Sequence, residues 1–252
     1  MFLRSLLIAI LGIQLYSVSA IAESVTELEP QSAVQAMSVA DQIIVLSGLH
    51  SLNDQIRLTA QQVFEEIPVP HSQRFGIAQA LGKRWTTERW QEKLDAAVAV
   101  LSESQQQHLL ALLKQEKLAE IREMEAKAIS VQASEEFKAY QQKVRDKRPS
   151  EYRLSLINQV DDLAHISDMI ILMRKQAYAE LQSQLPEWSP AEDWQIAVKQ
   201  QTQEFLFYLF KRTNNVGLQD FIAQYKSREL QLFFKAVKTQ ITVPASEVTT
   251  AN

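Results

Sequence analysis

A chain of 252 residues carrying 26 Lys and Arg against 30 Asp and Glu has no broad positive charge to offer nucleic acid, which its formal charge of −4 excludes as an expected partner. The absence of cysteine excludes a disulfide framework, a thiol nucleophile and the lipid-bearing cysteine of a bacterial lipoprotein. Only 5 glycines, 7 prolines gathered at boundaries and abundant Ala, Leu, Gln, Glu and Lys predict an all-α fold of long helices.

Residues 1–22 read as a secretory signal: Arg4 is the positive start, Ser5 to Tyr16 the short apolar stretch, and Ala20-Ile21-Ala22 the small-residue cleavage pattern before Glu23. Cleavage after Ala20 and after Ala22 both satisfy the pattern, and losing Arg4 takes the formal charge from −4 to −5. The expected location is periplasmic or secreted. No later apolar run reaches the roughly 20 residues that span a bilayer. The rest divides into an N-terminal helical half (23–130), a basic connecting segment (131–149), a C-terminal helical half (150–241) and a polar, disordered tail (242–252).

Apolar residues at helical spacing run through Val39, Ile43, Leu46, Leu49, Leu52, Ile56, Val63 and Ile67, which predicts one amphipathic helix over 39–67. Ser102-Glu103-Ser104-Gln105 is a capping box, and Pro149-Ser150 opens a second long stripe through Leu156, Val160, Leu163, Ile166, Ile170, Met173, Ala177 and Leu181. Ser189-Pro190-Ala191-Glu192 reads as the next helix start, leading to the aromatic run Phe205, Phe207, Tyr208 and Phe210. All-round apolarity there predicts core.

The stripes match in more than period. A shift of 114 residues places Asp54, Ile56, Leu58, Gln62 and Glu66 on Asp168, Ile170, Leu172, Gln176 and Glu180. A shift of 109 places Leu109, Gln115, Lys117 and Glu120 on Leu218, Gln224, Lys226 and Glu229, and each half holds a tryptophan pair, Trp85/Trp90 and Trp188/Trp194. Two pseudo-equivalent helical halves packed together, arising by internal duplication, are therefore expected.

Val45-Leu46-Ser47-Gly48-Leu49 and Phe221-Ile222-Ala223-Gln224-Tyr225-Lys226-Ser227-Arg228-Glu229-Leu230 resemble two signatures of a secreted bacterial all-helical family, catalogued only as a domain of unknown function in Gram-negative envelope proteins. Where that family often has Ser-Pro at the second signature, this chain has Lys226-Ser227-Arg228, and its first half has Lys114-Gln115-Glu116-Lys117, which leaves a helix break there open. The resemblance implies an envelope protein and brings no catalytic residues.

Site candidates are few. Asp54, Leu58, Gln62 and Asp168, Leu172, Gln176 fall within one arc of their helices, away from the stripe, and form a possible contact face. Its plain alternative is a solvated face with an incidental leucine. Asp161, Asp162, His165 and Asp168 have helical spacing suited to a divalent metal, yet no His-Glu-x-x-His or Glu-x-x-His pattern occurs, and a solvated histidine with local ion pairs fits better. Lys138, Lys143, Arg145, Lys147, Arg148 and Arg153 make a basic stretch that suits an anionic membrane surface or, more plainly, a solvated linker. There is no nucleophile elbow and no phosphate-cradling glycine loop. The reading is a non-catalytic envelope binding or assembly factor with no cofactor, whose partner is another envelope protein. The alternatives are a carrier holding a lipid or other apolar small molecule between the halves, and a hydrolase with an unrecognised site.

Overall fold

The computed structural model describes residues 37–131 and 134–243, and every regular element among them is a helix. The signal pattern of 1–22 and the tail beyond Val243 lie outside the described residues. None of the helices among the described residues is long and apolar enough to cross a membrane.

Helix α1 (Val39–Ser47) starts at Ser38, whose hydroxyl accepts from the Asp41 N–H, and stops at Gly48, where φ is 73°. That left-handed conformation costs glycine nothing, so the expected continuous helix over 39–67 breaks there. A single 3-10 turn (Leu49–Ser51) leads into α2 (Asp54–Glu66), which ends where Pro68 forces Ile67 into extended backbone. There follow α3 (His71–Arg84), α4 (Thr87–Ala99), α5 (Glu103–Leu113) and α6 (Glu116–Ser130). Both partners of the Ser102/Gln105 capping box are in place at the start of α5.

The connecting segment is itself structured, because α7 (Glu135–Asp146) docks on the aromatic run through Phe137 and Tyr140. Ser150 caps α8 (Glu151–Ala164), and His165 at φ 53° separates it from α9 (Ile166–Gln184), so the second stripe is also broken by one left-handed residue. Helix α10 (Trp194–Leu209) begins four residues after Pro190, not at the Ser189-Pro190 signal. The reason lies in Tyr178, which seats Trp188 and Trp194 edge-on at 5.4 and 5.0 Å and holds 185–193 across the end of α9. Helices α11 (Asn215–Tyr225) and α12 (Arg228–Thr242) are the last of the described elements.

Helix α2 lies along α9, and their burial patterns coincide at the 114-residue shift. Gln55, Ile56, Thr59, Ala60 and Val63 are buried, and so are Met169, Ile170, Met173, Arg174 and Ala177. The later helices align at 112 residues instead of 109. Both bounds of α5 and of α6 move by 112 onto those of α11 and α12, so the break at Lys114-Gln115 is present after all. The three-residue difference is nearly one helical turn, which is why a periodic sequence accepts either register. Helix α1 packs on α4 and α5 as α8 packs on α10 and α11, while α4 packs on α12 and α10 on α6, across the halves. A small void at this seam is lined by Leu113, Leu118 and Arg122 and by their 112-shifted counterparts Tyr225, Leu230 and Phe234. The tryptophan pairs do not correspond: Trp85 and Trp90 pack together at 6.2 Å in the core, whereas Trp188 and Trp194 flank a tyrosine.

Candidate functional site

The groove between α2 and α3 is a large concave feature with a mostly apolar lining. Ile56, Ala60 and Phe64, at i, i+4 and i+8 on α2, form one wall. Phe75, Ala78 and Leu81 of α3 form the other, and Trp85 closes the end where α4 begins. The space is about 800 Å³, within the size range of small-molecule sites. Phe75 is 67% exposed and adds an apolar ring to the open side of the groove.

Two glycines interrupt α3, each costing about 1 kcal/mol of helix propensity relative to alanine. Neither needs left-handed backbone, and a β-carbon on Gly82, which lines the groove, would meet nothing within 4 Å. Glycine there leaves the wall low and the groove wide. The rim is polar and balanced. Asp54 pairs with Arg57 at 3.9 Å, and Arg74 donates through Nε to the Val69 carbonyl at 2.8 Å while lying over the Phe64 ring. The indole N–H of Trp85 has no hydrogen-bond partner among the described residues, unlike that of Trp90, which donates to the Leu49 carbonyl at 2.9 Å.

The residues expected to share a contact face are not brought to one place. Asp54 stands on the α2–α3 groove, whereas Leu172 lines a different groove between α9 and α12. Gln62 donates to Glu66 at 2.9 Å; Leu58 and Gln176 are half-buried. Asp168 accepts from Lys238 at 3.0 Å, and Glu180 meets Arg84 at 3.7 Å. Asp54 and Asp168 share a local cause instead, since both occupy the first turn of a helix, where a carboxylate complements the dipole.

The histidine-aspartate group has structural partners. Asp161 accepts from the Ser167 N–H at 2.8 Å and from its hydroxyl at 2.6 Å, bridging the break between α8 and α9. Burial pushes the Asp161 carboxyl above its ordinary range despite those two bonds. His165 lies 3.3 Å from Gln231 Oε1 and 3.1 Å from Lys238 Nζ. Among the described residues, no three His, Asp or Glu side chains stand together as metal ligands do.

The basic stretch is split among helices. Arg145 clasps the buried carboxylate of Glu204 with two bonds of 2.8 Å, and Arg153 donates to the Phe210 carbonyl at 2.7 Å and to Asn215 Oδ1 at 3.0 Å. Lys138 pairs with Glu135, leaving Lys143, Lys147 and Arg148 exposed. The aromatic run is filled by its own neighbours. Phe137 meets Tyr208 at 4.7 Å, and the Tyr140 hydroxyl donates to the Phe207 carbonyl at 3.0 Å. Sequence reasoning missed the α2–α3 groove; its only sequence trace is Phe75-Gly76 and Gly82 on a helix whose apolar side is thin. The chain matches no family model, no curated protein and no solved structure.

Proposed function

We propose that this is a non-catalytic binding factor of the cell envelope that holds an apolar ligand of the lipid class in the α2–α3 groove. The groove itself carries the reading. It offers about 800 Å³ between Ile56, Ala60, Phe64, Phe75, Leu81 and Trp85, with a glycine keeping one wall low. An acyl chain needs length and dry walls without charge complementarity, and a rim where Asp54 and Glu88 balance Arg57 and Arg74 suits it. The site lies within the N-terminal half, not between the halves. Matched burial at 114 residues and matched helix bounds at 112 support two pseudo-equivalent halves that arose by duplication. The second half has turns at 185–193 where the first has α3, so the groove belongs to the first half alone. The signal pattern of residues 1–22 and the likeness to envelope proteins support the location.

The test uses Trp85 as the reporter. Titrating the protein with a fluorescent fatty-acid analogue should quench or enhance its emission, and native mass spectrometry should find copurified lipid. Gly82→Leu fills the groove without disturbing helix or core, so it should keep the melting temperature and lose most of the probe binding. Equal binding by Gly82→Leu, or none by the unaltered protein, would remove the lipid reading and leave a protein partner as the occupant of the exposed Phe75 surface.

A further inference from the structure

A second groove, between α9 and α12, differs from the first in its charge, having four Lys or Arg and no Asp or Glu in its lining. We infer that it docks an acidic peptide segment of a partner protein. Its space is about 770 Å³, with Leu172 and Leu232 at its base and Lys226, Arg228, Lys235 and Lys238 around it. Both leucines are half-buried and pack on the core, which makes the base apolar. Of the four cations only Lys238 has an acidic partner, Asp168 at 3.0 Å; Lys226, Arg228 and Lys235 make no ion pair with any described residue and are exposed. This is a local excess in a chain whose formal charge is −4.

The arrangement on α12 explains the shape. Arg228, Leu232, Lys235 and Thr239 recur at intervals of four, three and four, so they and Lys238 share an arc of about 120°. The opposite side, with Leu230, Phe233, Phe234, Val237 and Ile241, is buried. Glu229 falls off the cationic arc. From Arg228 to Thr242 the stripe runs roughly 21 Å at 1.5 Å per residue. A single phosphate or carboxylate would call for cations converging on one point. Cations spread along a helix above an apolar base match a linear ligand with repeated negative charges and interspersed apolar side chains. An extended peptide of about six residues covers that length. Such pairing sets register and speeds encounter, and it weakens with salt.

The experiment is fluorescence anisotropy with a dye-labelled decapeptide of alternating glutamate and leucine, set against its glutamine-leucine counterpart, on the full chain at low salt. The acidic peptide should bind and the neutral one should not. Arg228→Glu/Lys235→Glu should weaken binding by roughly tenfold or more, whereas Lys143→Glu/Lys147→Glu, exposed in the last turn of α7 and just past its end, should leave it unchanged. Both altered positions of the first variant are exposed and Glu suits the first turn of α12, so its melting temperature should match the parent. Failure of the acidic peptide to bind, or equal binding by the Arg228→Glu/Lys235→Glu variant, would overturn the inference. So would capture of phosphatidylglycerol vesicles through these residues with the peptide left in solution, which would assign the surface to a membrane. Gly82→Leu should bind the peptide normally, which separates this groove from the apolar one.

Discussion

Lys93 of α4 donates its ammonium to the carbonyl of Val243, 150 residues further along the chain, at 2.8 Å. It also reaches the Gln240 carbonyl at 2.7 Å, so one side chain satisfies two acceptors at the end of α12. Only 3% of Lys93 is exposed, and burial, with Arg84 nearby, pulls its pKa below the ordinary lysine value. A buried cation is tolerated here because the C-terminal carbonyls of a helix carry partial negative charge.

Replacing it by an apolar side chain of similar length should expose what the tie contributes. Lys93→Met should lower unfolding stability by about 1–3 kcal/mol in urea titrations, since two carbonyls lose a charged donor. A loss under about 0.5 kcal/mol would mean that water replaces the ammonium without penalty.

Ile56 and Ile170 occupy matched places on α2 and α9, at 1% and 0% exposure. Truncating a fully enclosed isoleucine removes transfer free energy and leaves a cavity, so Ile170→Ala should cost about 2–5 kcal/mol. Ile56→Ala should fall at the low end of that range, because Ile56 also borders the α2–α3 groove and solvent can enter the gap. Equal losses would show that the groove wall is as tightly packed as the seam.

The stripes on α2 and α9 were legible because burial at spacings of three and four leaves a periodic record, and the serine caps at 102 and 150 announce themselves chemically. The breaks at Gly48 and His165 were not, since a helix interrupted by one left-handed residue keeps its apolar phase on both sides. The 112-residue register was hidden for a related reason: a slip of three residues preserves most apolar coincidences. The grooves were least legible of all. Ile56 and Leu172 look like any stripe or flank residue in sequence, and concavity depends on which neighbouring helix stops short.

Asp161 gives a pH signature. Its carboxyl titrates above the usual range through burial, with Asp162 and Asp168 adding to the effect. In the unfolded chain an aspartate titrates near 3.9 (roughly). Between that value and the raised native one, the native state holds more protons than the unfolded state. Stability from this group therefore falls as pH rises through the window, then levels off once the carboxyl is ionised in both states. Asp161→Asn keeps an acceptor for the Ser167 N–H and removes the titration. The parent should gain on the variant as pH is lowered from 7 toward 4 in chemical unfolding. A difference that stays flat, or widens with rising pH, would contradict the assignment.

Leu172 tests the electrostatics of the α9–α12 groove through the sign of a charge. It is half-buried there beside Lys235 and Lys238, so either charged replacement sacrifices apolar contact. What differs is the company each new charge keeps. A carboxylate from Leu172→Glu enters a surplus of cations, and an ammonium from Leu172→Lys adds to it. Leu172→Glu should therefore be the more stable by about 0.5–1 kcal/mol at low salt, a gap that closes near 1 M salt. At the matched position the preference should reverse. Both leucines follow an aspartate by four residues, a spacing at which an acid followed by a base attracts, but Asp168 is already held by Lys238 at 3.0 Å whereas Asp54 reaches only Arg57 at 3.9 Å, so Leu58→Lys should be slightly more stable than Leu58→Glu. Thermal unfolding of the four variants at two salt concentrations decides the matter. The same sign preference at both leucines would mean that the net charge of the chain governs the response, and that the cations along α12 create no field of their own.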